Sequence, residues 1–120
     1  MELKYIETNN KTSIAELTDA DIIISNAQDV LDIFGELIAV DCDRIIIHEG
    51  SLHTDFFNLK SGLAGDILQK FSNYKISVAF VGDFAKYKSK SLQDFIFESN
   101  NSSAVNFSDN VASAIMKLKE

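Results

Sequence analysis

The densest group of side chains that could bind a metal consists of His48, Glu49, His53 and Asp55. A zinc site needs three or four such ligands that converge at about 2.0–2.3 Å. The i, i+4 histidine pair of a zinc-protease helix is absent, because a glycine-bearing loop separates the two histidines. The pattern therefore favours a solvated turn in which Asp55 caps the helix that follows, and we expect neither a metal nor a cofactor.

Nucleophilic catalysis is a second kind of chemistry that these residue types could support. Ser51 or Ser89 could meet one of the histidines, and Asp83 or Glu98 could then orient the imidazole. A catalytic triad is defined by geometry, however, and the sequence has no GxSxG nucleophile elbow. Cys42 precedes a predicted strand instead of lying on a nucleophile turn. We therefore predict no catalytic residue.

Glycines and lysines that could approach a phosphate group occur in two places. Residues 61–65 read SGLAG, which matches neither GxGxxG nor GxxxxGK[ST] and lies within a run of helical periodicity. We interpret these glycines as a packing device that lets the helix approach the sheet. Residues 86–91 form a basic patch in an acidic chain. A solvated loop before a helix explains this patch, with an acidic partner or a phosphate as the alternative.

The charge balance argues against a nucleic-acid partner. The 120 residues carry 11 basic and 18 acidic side chains, which gives a net charge of −7 at pH 7 and a pI near 4.7. Arg44 is the single arginine, so the clustered cations that neutralise a phosphate backbone are missing. Cys42 is the single cysteine, which is typical of a reducing compartment and a structural thiol.

The length and hydropathy of the chain predict one domain over residues 1–120. Hydrophobic residues make up 46% and charged residues 24%, which are ordinary proportions for a globular protein with a core. No window is long and apolar enough for a signal peptide or a membrane span. We therefore expect a cytoplasmic protein that has no membrane partner.

The N-terminal part is predicted to form a hairpin and then a helix. Residues 3–7 and 13–17 are separated by the turn residues Asn9, Asn10 and Lys11, which favours two paired strands.

The first helix is predicted after a β-branched run at residues 22–24. Apolar residues recur at helical spacing over residues 30–38. Ser25 or Asn26 can cap the first amides, and Asp29 suits the positive end of the helix dipole.

Two segments are apolar on both faces, which is typical of strands in the centre of a parallel sheet. They are Ile45 to Ile47 and Ile76 to Val81, and we expect them to run side by side in the same direction. A helical pattern from Phe56 to about Tyr74 connects them. Such a parallel pair requires a right-handed helical crossover.

The remaining residues are predicted to add a helix, a strand and a final helix. Ser89 or Ser91 can cap the first of these helices, and a short strand follows at residues 104–107. Ser108 or Asp109 can cap the final helix. The fold class is therefore α/β: a single-domain sandwich with a mixed central sheet, an N-terminal hairpin and parallel strands connected by helices.

Ligands of open α/β sheets bind beyond the carboxyl ends of the parallel strands. Residues 48–55, 82–91 and 107–109 should meet at that end. The side chains expected to line a ligand or partner crevice there are His48, Glu49, His53, Asp83 and Lys88.

Two aromatic residues stand apart from the predicted core. Most of the nine phenylalanines lie on apolar faces, where a core requires them. Phe97 departs from the apolar face of its helix, and Phe84 follows a strand end. Either of them could contribute to an exposed patch for self-association.

Three longer motifs resemble one known family. They read FFNLKSGLAGDILQKFSNYKISVAFVGDF (56–84), SKSLQDFIFESN (89–100) and VNFSDNVASAIMKLKE (105–120). They are similar to the bacterial family catalogued as domain of unknown function 4180, in which a double phenylalanine, a GLAG stretch and a DFxxESN helix are typical. The resemblance implies no particular activity.

The order of elements and the sequence Ser61-Gly62-Leu63 are also similar to STAS-like domains of the anti-sigma-factor-antagonist type. There, a serine before Gly-Leu at the start of the corresponding helix can be phosphorylated, which breaks partner binding. The resemblance implies that Ser61 is such a phosphorylation switch. The acidic residue and the second serine that usually precede the glycine are missing here.

Two functions follow as hypotheses. The first is a non-enzymatic STAS-like regulatory domain that binds another protein, or a second copy of itself, through one helix and its neighbouring loop. The second is a small enzyme or ligand-binding protein that uses the crevice at the carboxyl ends of the parallel strands. The lack of a recognisable catalytic constellation in the sequence favours the first.

Overall fold

Five strands form one sheet, and their order in the sheet is their order in the chain. The computed structural model describes residues 1–9 and 12–119. The strands are β1 (Leu3–Glu7), β2 (Ser13–Leu17), β3 (Arg44–His48), β4 (Ser77–Val81) and β5 (Val105–Ser108). β1 is antiparallel to β2, and each of the other neighbouring pairs is parallel. The predicted α/β fold with a mixed sheet is confirmed.

In the part of the chain that the structure describes, three α-helices connect the parallel strands, and a fourth α-helix follows β5. They are α1 (Ala27–Ala39), α2 (Leu63–Tyr74), α3 (Lys90–Ser99) and α4 (Val111–Leu118). Among the described residues, no helix is long and apolar enough to cross a membrane.

The pair formed by β3 and β4 lies in the centre of the sheet. The two strands are parallel, and Ile46 pairs with Ala79 while Ile47 pairs with Phe80. All four of these side chains are fully buried. The prediction that both segments run in the same direction and are covered on both faces is therefore confirmed.

The two faces of the sheet are covered unequally. On one face, α1, α2 and α3 pack over β2 to β5, where Phe34, Phe71 and Phe80 belong to one large apolar cluster. On the other face, Ala114 and Leu118 of α4 pack over a smaller cluster built on the central strands. In the described part of the chain, α4 is the one helix that contributes buried residues to this second cluster.

The N-terminal hairpin has the predicted bounds, and β1 and β2 pair in antiparallel register. Its predicted turn residues Asn10 and Lys11 lie outside the described residues. The β-branched run after β2 forms no full strand. Ile24 makes an isolated parallel bridge to Leu52, and Ile22 is half exposed.

The first helix begins as predicted. The Asn26 side chain accepts a hydrogen bond from the backbone N–H of Asp29 at 3.0 Å. The Asp29 carboxylate in turn accepts from the backbone N–H of Ser25 at 2.8 Å. This reciprocal pair satisfies amides that would otherwise lack a partner at the helix start.

The predicted start of α2 at Phe56 is wrong. Two turns of 3-10 helix, Thr54–Phe57 and Leu59–Ser61, precede α2, which begins at Leu63. Gly62 separates them because its φ of +81° lies in the left-handed region, which interrupts a right-handed helix. Phe56 and Phe57 are buried, and their apolar spacing continues without a break into that of α2. The periodicity therefore does not show where the helix begins.

The packing role predicted for Gly65 is also wrong. Gly65 is exposed on α2, and a Cβ atom added there would contact nothing within 4 Å. The helix therefore does not need this glycine to approach the sheet.

The last two helices differ in how well their caps were predicted. Ser89 caps α3 by accepting from the backbone N–H of Leu92 at 3.2 Å, as predicted. Asn110 caps α4 by accepting from the backbone N–H of Ser113 at 2.8 Å. The predicted α4 caps, Ser108 and Asp109, are therefore wrong, because the helix begins further along the chain.

The two phenylalanines that stood apart from the predicted core have different surroundings. Phe97 is 70% exposed on α3, as expected. Phe84 is only 8% exposed and contacts the ring of Phe107, with centroids 5.1 Å apart. The prediction of an exposed patch fails for Phe84 because the loop after β4 folds this ring into the core.

Replacing Ile46 with alanine tests the burial of the central strands. We expect the free energy of unfolding to fall by about 2–5 kcal/mol, because this side chain is fully buried between the sheet and α4. Urea denaturation followed by circular dichroism measures the change. Ile22→Ala is the matched control: half of this side chain is exposed, so its loss should stay below about 1 kcal/mol. Equal losses would contradict the assigned burial.

Candidate functional site

The five side chains predicted to line one crevice are placed differently around the carboxyl ends of β3 and β4. His48 is the last residue of β3, and Glu49 follows it. Asp83 follows β4 after one glycine. Of the five, the structure joins Glu49 and Asp83 directly: the backbone N–H of Asp83 donates to Glu49 Oε1 at 3.3 Å.

His48 turns away from Glu49 and towards the neighbouring strand β2. Its Nε2 lies 2.6 Å from Oε2 of Glu16, and both side chains are partly buried. Glu16 pairs with Ile46, whose side chain packs under α4, so this contact lies on the α4 face of the sheet. The direction of the strands alone does not predict a contact between His48 and Glu16.

His53 serves the backbone of its own loop. Its Nδ1 accepts a hydrogen bond from the backbone N–H of Asp55 at 3.0 Å, which caps the 3-10 turn Thr54–Phe57. The capping role predicted for Asp55 therefore belongs to His53. Within residues 1–9 and 12–119, no group of three or more histidine, cysteine or acidic side chains is placed to hold a metal ion.

Lys88 is exposed on the loop between β4 and α3. In the described part of the chain it makes no ion pair or side-chain hydrogen bond, and it does not reach the other predicted residues. The cationic partner of Glu49 is instead Lys86.

Glu49 holds the loop that follows β4. Lys86 Nζ lies 2.7 Å from Glu49 Oε2, and the hydroxyl of Tyr87 donates to the same oxygen. The Tyr87 ring stacks on Phe57, with centroids 4.7 Å apart and an interplanar angle of 14°. We call Glu49, Asp83, Lys86 and Tyr87 the Glu49 clamp, because one carboxylate fixes three successive parts of this loop.

The electrostatics of the clamp keep Glu49 ionised. Burial alone would raise the pKa of Glu49, but hydrogen bonds from Lys86 and Tyr87 and the charge of Lys86 outweigh it, so the pKa lies below its ordinary range. Burial, together with the hydrogen bond to Glu49 and the charge of its carboxylate, raises the pKa of Tyr87. At neutral pH the clamp therefore joins a carboxylate, an ammonium group and a protonated phenol.

Ser61 lies just before α2 and is exposed. Its hydroxyl donates to the backbone oxygen of Asp55 at 2.7 Å and accepts from the backbone N–H of Leu63 at 3.2 Å. It therefore lies at the entrance of the helix that follows β3, separate from the Glu49 clamp.

A comparison with protein families matches nearly the whole chain. The family described as a domain of unknown function, DUF4180, matches residues 9–118. The chain belongs to the DUF4180 family. The resemblance carried by the three long motifs is thereby confirmed. No curated protein and no solved structure matched this DUF4180 member.

Replacing Glu49 with glutamine tests the clamp through its pH dependence. A depressed pKa contributes stability that is present above the unfolded-state value, about 4.3, and is lost as pH falls through the folded-state value. We expect Glu49→Gln to lower the free energy of unfolding by about 1–3 kcal/mol at pH 7. The difference from the wild type should shrink below about pH 4. Denaturant unfolding from pH 3 to pH 8 measures both effects.

Glu98→Gln is the control for this experiment, because Glu98 is exposed and makes no ion pair in the described residues. Its stability should follow that of the wild type at every pH. A pH-independent loss in Glu49→Gln would contradict an ionised clamp.

Gly82 offers a steric test of the same clamp. A Cβ atom at Gly82 would lie 2.6 Å from both Cβ and Oε1 of Glu49, so one of the two segments would have to shift. We expect Gly82→Ala to lower the free energy of unfolding by about 1–3 kcal/mol. Gly50→Ala is the matched control, since a Cβ there would contact nothing within 4 Å. Thermal unfolding of both variants measures the difference, and equal stabilities would contradict the close approach.

Proposed function

We propose that this DUF4180 domain is a non-enzymatic, STAS-like regulatory domain that binds another protein through the entrance of α2. The binding surface consists of the exposed residues Asn58, Lys60, Ser61, Gly62, Gly65 and Asp66. We call it the α2 entrance surface. Ser61 acts within it as a phosphorylation switch.

The architecture supports the comparison with STAS-like domains. A hairpin is followed by alternating helices and strands, and each parallel strand lies beside its predecessor in the chain. Ser61, Gly62 and Leu63 lie at the start of the helix after β3, which supports the comparison. Because one fold supports many functions, this surface supports the proposal more strongly than the fold does.

Gly65 is the observation that carries the proposal. A glycine in a helix costs roughly 0.5–1 kcal/mol relative to alanine. Gly65 is exposed in α2, and its Cβ position is open, so no contact within the chain accounts for this cost. Gly35 of α1 is equally open, so the glycine alone does not indicate a partner surface. The position of Gly65 four residues after Ser61, at the entrance of α2, is what supports close approach of a partner here.

Phosphorylation of Ser61 would change this surface through its charge and its hydrogen bonds. A phosphate adds about −1.5 to −2 charges at pH 7. It would replace the hydroxyl that donates to the backbone oxygen of Asp55. The carboxylates of Asp55 and Asp66 are both exposed on the neighbouring turns and would repel it. The loop before α2 would therefore rearrange, which is a physical route to partner release.

Replacing each of two exposed helical glycines with arginine tests the α2 entrance surface. Gly65→Arg places a long side chain on this surface, and Gly35→Arg places the same side chain on α1, where the Cβ position is equally open. Arginine favours helix over glycine, so both variants should be at least as stable as the wild type in thermal unfolding. Affinity capture from native cells, with quantitative mass spectrometry, measures which proteins co-purify.

We expect a stoichiometric partner to be lost with Gly65→Arg and with Ser61→Asp, and to be retained with Gly35→Arg and Ser61→Ala. Sedimentation velocity identifies the case in which this partner is a second copy of the chain. Loss of the partner in both arginine variants, or retention in both, would contradict the proposal.

A further inference from the structure

A cavity of about 410 Å³ opens at the carboxyl ends of β4 and β5. The chain after β4 leads to α3 on one face of the sheet, whereas the chain after β5 leads to α4 on the other face. When the connections after two neighbouring strands leave towards opposite faces of the sheet, a crevice opens between them. Sheets in α/β proteins bind ligands in such crevices. Its lining includes Asp83, Phe84, Ile96, Phe107, Ser108, Asp109, Ser113 and Lys117. We call this space the switch-point cavity.

Ser108 brings a buried polar group without a partner to the wall of this cavity. Its side chain is 7% exposed, and its hydroxyl makes no hydrogen bond among the described residues. Asn110, and not Ser108, caps α4. A buried hydroxyl of this kind is rare in folded proteins and calls for a partner from outside the chain.

Ser113 and Lys117 of α4 contribute a second hydroxyl and a cation. They are four residues apart on the helix, so their side chains lie on the same face. Lys117 is partly buried and makes no ion pair in the part of the chain that the structure describes. An ammonium group and two hydroxyls around one cavity are suited to a single anionic group, such as a carboxylate.

The mouth of the cavity carries the opposite charge. Asp83 and Asp109 line it, and both are exposed. Two carboxylates repel a polyanion such as a nucleotide and attract an ammonium group. The buried residues Phe84, Ile96 and Phe107 add apolar surface to the lining of the cavity.

We infer that the switch-point cavity binds a small apolar amino acid in its zwitterionic form. Its carboxylate lies towards Lys117, its ammonium group lies towards Asp83 and Asp109, and its hydrocarbon side chain packs on Phe84 and Phe107. The cavity volume is within the range of small-molecule sites, about 300–1,000 Å³. This inference goes beyond the proposed partner binding, since the cavity and the α2 entrance surface share no lining residue.

Nuclear magnetic resonance titration of the isotopically labelled chain tests the inference. The probes are L-leucine and L-phenylalanine, and the half-molecule controls are phenylpropionate, which lacks the ammonium group, and phenethylamine, which lacks the carboxylate. We expect saturable shifts of the Gly82, Ser108 and Lys117 amide signals with the amino acids. L-Phenylalanine should bind at least about tenfold more tightly than either half-molecule or inorganic phosphate.

Two variants test whether Lys117 and Ser108 contribute to ligand binding. Lys117→Met and Ser108→Ala should weaken binding of L-phenylalanine by about 10- to 100-fold and about 3- to 10-fold, respectively. Lys70→Met, on α2, is the matched control and should bind as the wild type does. Thermal unfolding checks the fold: Ser108→Ala should be no less stable than the wild type, because it removes an unpaired buried hydroxyl.

Three results would overturn the inference. The first is the absence of shifts at these amides with both amino acids at millimolar concentration. The second is equal or tighter binding of a half-molecule or of phosphate, which would make the cavity a simple cation or anion site. The third is unchanged affinity in the Lys117→Met variant.

Discussion

The parallel pairing of β3 and β4, buried on both faces, is the constraint on which the rest of the structure depends. A strand without access to water must satisfy every backbone polar group within the sheet, so both neighbours of each central strand are obligatory. The parallel direction requires a helical crossover, which places α2 over the sheet. It also brings the ends of both strands to one edge, where Glu49 can reach Asp83 and the loop beyond it. The clamp is thus a product of this strand direction, and the switch-point cavity depends on the same direction in the next pair, β4 and β5.

Much of the fold could be predicted from the sequence because the signals were local. Three adjacent isoleucines indicate a strand covered on both sides, and the polar residues between the first two strands indicate a hairpin. The entrance of α2 could not be predicted in this way. Its interruption depends on the left-handed backbone of Gly62, whereas apolar spacing reports only which side chains are buried. The cap of α4 failed for a related reason, because several candidate caps were adjacent in the sequence and only geometry chooses among them.

The candidate site was predicted less well than the fold. Topology correctly placed several of its side chains near the carboxyl ends of the parallel strands, but the partner of each side chain depends on contacts between residues distant in sequence. His48 pairs with Glu16, and Glu49 pairs with Lys86 and Tyr87, although nothing in the spacing distinguishes these pairs from others. Ser113 and Lys117 were not predicted at all, because their place at the cavity depends on how α4 packs against the end of β5. The α2 entrance surface, by contrast, depends on residues that are adjacent in the chain.

The sequential strand order has a consequence for how the molecule acquires its structure. Each parallel strand pairs with the strand that precedes it in the chain, so no pairing has to wait for a distant segment. The entropy lost in closing a loop grows with loop length, and here every closure spans a single crossover. Folding can therefore advance by one strand and one helix at a time, much as a repeat protein grows. Each step still has to close a helical crossover, so parallel pairing makes the search slower than in a helical bundle. The helix that follows β5, α4, is also the one that covers the second face of the central strands.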